Sequence, residues 1–273
     1  MHILKYINNE KFRLLISFME LDFIKIIFLS LIQGISEFLP ISSTAHLILF
    51  EEILNLENEN LLIDISLHLG SLLAIIFYFR EDFLKIKKNY HFFLKILIAT
   101  IPLLPIGYLL TETGLINELR NLKTIAWSTL LFGIFLFVAD KKKTLKKIDS
   151  DLSIKNCIII GLFQVLSLIP GASRAATTIG AGRLLGFNRL DATKISFYLS
   201  IPALTIVSLF GIYKLGEKSF EFNMLVFFGV ILSFIFSFIT IKFFLKFIRK
   251  FSFNIFVIYR IILALILFII IYY

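Results

Sequence analysis

Eight apolar stretches divide this chain, and six run without interruption, at about 61–79, 92–110, 122–139, 195–213, 222–241 and 253–273. A helix rises ~1.5 Å per residue, so each is long enough to cross a hydrocarbon core of ~30 Å and predicts a transmembrane helix. The other two stretches, 26–54 and 156–186, are divided by Pro40 and by Pro170-Gly171 into halves too short to cross alone. They predict re-entrant helical hairpins, whose open backbone survives at membrane depth only under a cover of protein or beside a wet cavity. The fold class predicted is therefore an all-α polytopic membrane protein with six transmembrane helices plus two re-entrant hairpins.

The two halves of the chain resemble each other. Gln33 lies seven residues before Pro40 and Gln164 six before Pro170, and each proline is followed by a serine-bearing stretch and then by three spans. This order predicts an inverted repeat, with repeat one at about 23–140, repeat two at about 153–273, and the two hairpins entering from opposite faces to meet near the midplane. A single integral membrane domain over 23–273 follows. Residues 1–22 mix Lys5, Lys11, Arg13, Glu20 and Asp22 with apolar residues and lack a small-residue cleavage site. They predict a retained, partly interfacial N-terminal extension and not a signal peptide.

Charge tests this topology. With two hairpins returning to their own sides, the loops 80–91, 140–155, 187–194 and 242–250 share one face and hold 16 Lys and Arg; the opposite loops, 51–64, 111–123 and 214–221, hold 4. The basic face is expected in the cytoplasm. If the segment around Pro170 crossed fully, the basic loop 242–250 would move outside. Composition agrees, with 58% hydrophobic residues and a mean hydropathy of +0.90. The net charge of +9 is membrane-flanking lysine, including Lys141-Lys142-Lys143 and Lys146-Lys147, which excludes a nucleic-acid surface. The single cysteine, Cys157, has no partner within the chain, so disulfides carry no fold information.

Chemistry concentrates in the interrupted segments. A charge at the centre of a membrane helix costs roughly 2.5–3.5 kcal/mol on insertion scales, so Glu37, His46 and Arg174 are expected to have a task. Gln33 and Glu37, four apart, share a helical face, as do Ser43 and His46, three apart. Pro40 forces the chain out of helix, and Ser42, Ser43 or Thr44 can cap the helix that follows, leaving amide donors turned toward an anion. The second hairpin repeats the device: Pro170-Gly171 turns, Ser173 caps, and Arg174, on one face with Thr178, offers a planar fork that can hold phosphate or pair with Glu37. Gly180, Ala181, Gly182 and Gly186 supply a small surface for close helix approach. Carboxylate, hydroxyl, imidazole and guanidinium beside helix N-termini suit phosphoryl transfer, with Glu37 holding a hard divalent cation and Arg174 offsetting developing charge. Ser43 with His46 as base, His46 itself, or a water activated by His46 can each serve as nucleophile. Asp64 and His68 fit either a cavity wall or mutual pairing, and Tyr259-Arg260 either a buttress of the site or a headgroup contact.

The run Gln33-x-x-x-Glu37-Phe38-Leu39-Pro40-Ile41-Ser42-Ser43-Thr44-x-His46, with Pro170-Gly171-x-Ser173-Arg174-x-x-x-Thr178, closely resembles the bacterial undecaprenyl-diphosphate phosphatase family of the BacA or UppP type, linked to bacitracin resistance. The likeness runs from about residue 23 to the end and extends to His68-Leu69-Gly70-Ser71 and Tyr259-Arg260. It implies removal of the terminal phosphate of undecaprenyl diphosphate, which regenerates the lipid carrier for peptidoglycan synthesis. It also implies a divalent cation, Mg2+ or Ca2+, and a multi-pass protein of the bacterial inner membrane with a site opening to the periplasmic face. By the resemblance, Glu37, Ser43, His46 and Arg174 are catalytic, Glu37 is the metal ligand, and Gln33, Ser42, Ser173 and Thr178 bind substrate. The implied partners are the lipid substrate and membrane lipids, without nucleic acid; a homo-oligomer is left open. The chain departs from the common family pattern at Gln33, where glutamate is frequent, and at Ala175, where serine is frequent. A secondary transporter or polyprenyl-phosphate flippase is the rival, since both share inverted repeats with broken helices.

Overall fold

A computed structural model describes residues 23–53, 60–85, 90–216 and 220–273. The expected N-terminal extension over 1–22 lies outside the described residues. Among those described, the chain is helical throughout, with one isolated bridge between Lys146 and Phe187.

The first half runs α1 (Phe23–Ser36), a turn at Pro40, α2 (Ser43–Ile53), α3 (Asn60–Tyr78), short α4 (Arg80–Leu84), α5 (Tyr90–Thr100), α6 (Leu103–Glu112), short α7 (Leu115–Leu119) and α8 (Leu122–Asp140). The second half runs short α9 (Ile148–Asp151), α10 (Ile154–Val165), a 3-10 turn at Leu166–Leu168, α11 (Arg174–Leu184), α12 (Arg189–Leu215), α13 (Phe220–Phe247) and α14 (Asn254–Tyr272). Both proline-broken segments are hairpins. In the first, the rings of Phe28 and Phe50 stack with centroids 6.1 Å apart, and Ile26 and Leu29 are buried with Leu47. In the second, α10 packs on α11.

The packing follows an exchange of the two halves. Helix α3 lies against α13 as α12 lies against α5, α3 meets α12 directly, and α8 meets α14. Likewise α8 supports α11, while Ala45 and Ile48 of α2 are buried with Leu267 of α14. Small residues set the closest approaches. At Gly70 of α3, a Cβ would stand 2.8 Å from both the backbone nitrogen of Phe234 and the Cβ of Ser233 on α13, so only glycine allows the two helices to touch here.

Five of the six expected spans are helices long and apolar enough to cross a membrane: Tyr90–Glu112, Leu122–Asp140, Arg189–Leu215, Phe222–Phe247 and Asn254–Tyr272. The sixth, expected at 61–79, is α3 (Asn60–Tyr78), an apolar helix that carries the buried serines Ser66 and Ser71. Two further boundaries differ from expectation. The run 92–110 is divided into α5 and α6 at Pro102, whose missing amide and ring remove a helical hydrogen bond. The expected loop 187–194 is instead mostly the start of α12, because the side chain of Asn188 caps it by accepting from the Asp191 amide at 2.9 Å.

The basic loops gather at one end. The carboxylate of buried Asp140 takes Arg183 Nε at 3.1 Å, Arg189 Nε at 2.8 Å and the Phe253 amide at 3.5 Å, and Tyr198 donates to Asp82 at 2.5 Å. The Asp140 contacts tie the ends of α8, α11, α12 and α14 into one polar knot, and the Tyr198–Asp82 bond separately joins α12 to α4. Replacing Gly70 with leucine is expected to wedge α3 from α13 and destabilise the fold by about 1–3 kcal/mol, read as a lower unfolding temperature of the purified protein; wild-type stability would show that the contact is not tight.

Candidate active site

Each hairpin turns on a serine held in left-handed backbone. Ser42 has φ +78° and Ser173 φ +71°, positions that strain a residue bearing a Cβ by roughly 1–3 kcal/mol. Both then cap the following helix: Ser42 Oγ accepts from the Ala45 amide at 3.4 Å, and Ser173 Oγ from the Ala176 amide at 3.2 Å. Counted from these serines, Gln33 and Gln164 occupy the same place, each nine residues upstream, which is a better register than the prolines provide. Gly171, at φ +92°, fits because a Cβ there would strike Ser128 Oγ.

Leaving helix exposes carbonyls, and one side chain collects them. Arg260 of α14 is fully buried, and five carbonyl oxygens lie within hydrogen-bond distance of its guanidinium: Pro40 (3.2 Å) in the first turn, Gly171 (2.8 Å) and Ala172 (3.2 Å) in the second, and Ser128 (3.4 Å) and Thr129 (3.2 Å) on α8. Pro40 and Gly171 are each two residues before the strained serine, so Arg260 binds matching points of the two hairpins. No carboxylate pairs with it among the described residues. Of the two roles the sequence allowed Arg260, a buttress or a headgroup contact, the buttress is the one seen.

The hairpin tips meet at Glu37. Its Oε1 receives Arg174 Nη2 at 3.0 Å, and Arg174 also donates to the Glu37 carbonyl at 3.2 Å and the Ser196 carbonyl at 2.9 Å. Its Oε2 receives the Ser43 hydroxyl at 2.8 Å and Gln33 Nε2 at 3.1 Å, with His68 Nε2 at 3.6 Å. Gln33 reaches on to Ser71 Oγ at 3.4 Å, which lies 2.9 Å from Ser237 and 3.4 Å from Ser233 on α13. Thr178 Oγ1 donates to the Arg174 carbonyl at 2.7 Å and sits 2.7 Å from Ser196 Oγ, bracing the arginine from behind.

His46 stands apart from this cluster. Its Nδ1 donates to the Ser42 carbonyl at 2.6 Å, and its Nε2 faces the Tyr259 hydroxyl at 2.6 Å, with the two rings stacked. Its hydrogen bonds thus go to Ser42 and Tyr259 and not to Ser43, although the spacing of three placed both on one face. Ser43 is the first helical residue of α2, and its hydroxyl turns back into the break to reach Glu37. The structure therefore brings together Gln33, Glu37, Ser43 and Arg174; it uses Ser42 and Ser173 as caps and Thr178 as a brace, and it sets His46 with Tyr259.

Two residues of the site were harder to find. His68, expected to line a cavity or pair with Asp64, bonds through Nδ1 to the Asp64 main-chain carbonyl at 2.7 Å and aims its other nitrogen at Glu37. Its signal in sequence was its four-residue spacing from Asp64. Tyr259 was marked by its polarity in an apolar run and by the likeness at Tyr259-Arg260, but nothing in the sequence pointed it at His46.

A divalent cation fits these residues within limits. Among the described residues no three of His, Cys, Asp and Glu come together, so there is no all-protein cage. Beside Glu37, however, Gln33 Oε1 is buried without a hydrogen-bond partner. One carboxylate and a free amide oxygen suit a hard cation that takes its other ligands from phosphate and water.

Comparison with known proteins agrees over nearly the whole chain. The family profile described as bacitracin resistance protein BacA matches residues 26–266. A protein named undecaprenyl-diphosphatase from Pelagibacter ubique is 55% identical over 252 residues, covering 92% of this chain and 98% of its own. Proteins of the same name from Saccharophagus degradans and Teredinibacter turnerae are 40% and 39% identical, over 89% and 91% of this chain and 96% and 99% of their own.

Arg260→Met should strand several carbonyls at a cost of about 1–3 kcal/mol each, so the variant is expected to unfold at markedly lower temperature, with faster hydrogen exchange at 38–43 and 170–174. Unchanged exchange at both turns would contradict the tie between them.

Proposed function

The chain belongs to the bacitracin resistance protein BacA family, and from that premise we propose that it is an undecaprenyl-diphosphate phosphatase, a multi-pass membrane hydrolase that converts undecaprenyl diphosphate to undecaprenyl phosphate and inorganic phosphate. This activity returns the lipid carrier to peptidoglycan synthesis and fits the bacitracin resistance in the family's name. The observation that carries the chemistry is one carboxylate with two partners: Glu37 accepts the Ser43 hydroxyl at 2.8 Å on one oxygen and Arg174 at 3.0 Å on the other.

In this reading Ser43 Oγ attacks the terminal phosphorus while its proton passes to Glu37, and the bond to undecaprenyl phosphate breaks with its electrons leaving on that phosphate. The leaving group is already a stable anion and needs no proton. Water then attacks the serine phosphate, Glu37 returns its proton to Ser43 Oγ, and inorganic phosphate departs with the proton lost by water. Arg174 trades its bond with Glu37 for the phosphate oxygens and offsets the charge that gathers there. The amides of the first turns of α2 and α11, positive ends of two half-helices, add to this. Gln33 holds Glu37 in place, as Thr178 and Ser196 hold Arg174. A divalent cation at Glu37 and Gln33 would neutralise phosphate charge and align the diphosphate.

The bacterial inner membrane, with the basic loops in the cytoplasm and the site reached from the periplasmic side, is the setting this function requires. A transporter needs no serine hydroxyl aimed at a carboxylate that also grips an arginine, so that rival is not favoured.

Phosphate release from undecaprenyl diphosphate by the purified protein tests the reading. EDTA is expected to suppress it, and Ser43→Ala to lower kcat by about a thousand-fold or more with substrate binding retained. His46→Gln is expected to keep more activity than Ser43→Ala. The reverse ranking would move the nucleophilic role to His46, and full turnover of Glu37→Gln would remove the assigned base.

A further inference from the structure

The proposed function leaves His46 and Tyr259 without a task. His46 gives its Nδ1 hydrogen to the Ser42 carbonyl at 2.6 Å. A carbonyl only accepts, so the neutral ring carries its lone pair on Nε2. The Tyr259 hydroxyl, 2.6 Å away, donates to that lone pair while the two rings stack with centroids 5.7 Å apart. Both ring nitrogens are thereby used, and neither bonds Ser43 or Glu37. The series of donors runs from Tyr259 to His46 to the Ser42 carbonyl, and so ends on the peptide that joins Ser42 to Ser43. Comparison of the halves shows what this series replaces. His46 stands four residues after the strained Ser42 as Thr177 stands four after Ser173. The Thr177 amide closes its helical turn on the Ser173 carbonyl at 3.0 Å, whereas the His46 amide is 3.4 Å from the Ser42 carbonyl. In the hairpin that carries the reactive hydroxyl, the imidazole supplies the close contact that backbone supplies in the other. Tyr259 also adjoins Arg260, which holds the Pro40 carbonyl. Neighbouring residues of α14 thus grip the first turn on both sides of Ile41, Pro40 directly and Ser42 through His46.

We propose that Tyr259 is a positioning residue of the reaction: its hydroxyl fixes the tautomer and orientation of His46, His46 fixes the peptide between Ser42 and Ser43, and that peptide aims Ser43 Oγ. The preceding Ser42 is held at φ +78°, a conformation that persists only where its surroundings enforce it. A nucleophile attached to a relaxed turn loses its alignment with Glu37 and with phosphorus, and small misplacements of that kind slow the chemical step. In this role neither Tyr259 nor His46 touches the diphosphate, so the loss falls on kcat and not on KM. The role rests on the phosphatase reading, whereas the hydrogen-bond series beneath it does not.

The test is a double-mutant cycle on turnover of undecaprenyl diphosphate by the full-length protein in lipid nanodiscs, using Tyr259→Phe, His46→Asn, the two combined, and His46→Gln. Asparagine places its amide nitrogen near the position of Nδ1, and glutamine near that of Nε2. Tyr259→Phe is expected to lower kcat by about tenfold with KM within about twofold of wild type. His46→Asn, which keeps a donor for the Ser42 carbonyl, should retain at least about tenfold more kcat than His46→Gln. In the His46→Asn background Tyr259→Phe should cost less than about twofold, because the hydroxyl acts through the imidazole. Nitrogen NMR of the 15N-histidine protein without substrate follows the series itself: the His46 Nε2 signal is expected to shift in Tyr259→Phe toward that of an unbonded lone pair. Wild-type kcat in Tyr259→Phe overturns the proposal, as does a rise in KM at unchanged kcat, or an undiminished effect of Tyr259→Phe in the His46→Asn protein. His46→Asn as inactive as Ser43→Ala also overturns it, since a positioning imidazole is replaceable by its donor. Wild-type protein that releases no phosphate sinks the phosphatase reading and this role with it, whereas wild-type turnover with an unmoved Nε2 signal in Tyr259→Phe sinks the role alone.

Discussion

A buried guanidinium with no acid partner among the described residues is the constraint on which this site depends. Breaking two helices inside a membrane leaves backbone carbonyls that lipid cannot satisfy, each at a cost of several kcal/mol. Arg260 gathers three of them, from Pro40, Gly171 and Ala172, together with the Ser128 and Thr129 carbonyls of α8, and so fixes the tips of two segments that are remote in sequence. A carboxylate near this arginine would compete with the carbonyls; donating to five carbonyl oxygens, it is held largely by the broken backbone itself. The Glu37–Arg174 pair then joins the same tips at the level of chemistry. The Arg260 tie and the Glu37–Arg174 pair are separate, so in the proposed mechanism Arg174 can release Glu37 to bind phosphate without the hairpins coming apart.

Symmetry of the fold produces asymmetry of the site. With the strained serines in register, Ser43 in one half corresponds to Arg174 in the other, each the first residue of the second half-helix. The same local device, a proline break followed by a left-handed serine cap, thus delivers a hydroxyl from one side and a cation from the other. Gln33 and Gln164 diverge in the same way. The first supports Glu37, while both polar atoms of the buried Gln164 side chain lack a hydrogen-bond partner, as expected where the second half has Leu168 in the place of the glutamate.

Much of this was legible in the chain. Pro40 and Pro170-Gly171 marked the breaks, and the expense of charge in lipid marked Glu37 and Arg174 as residues with work to do. What could not be read depended on direction in space. Spacing placed Ser43 and His46 on one helical face, but Ser43 begins the helix and turns back into the break, while His46 is drawn away by the Ser42 carbonyl and Tyr259. Arg260 looked like one polar residue in an apolar run because its partners are main-chain carbonyls, which no pattern of side chains reports. His68 was ambiguous for a related reason: a main-chain carbonyl of its own helix decides which nitrogen it presents. The division of the run 92–110 was visible in Pro102 but outweighed by its continuous hydropathy.

The central claim is that Ser43, oriented by Glu37, carries the phosphoryl group. Rapid acid quench of the enzyme turning over undecaprenyl diphosphate labelled in its terminal phosphate, followed by peptide mapping, tests it most directly. Label on Ser43 as an acid-stable phosphomonoester is the predicted result. Label absent from protein at every time before product forms, or acid-labile label on His46, would contradict the account.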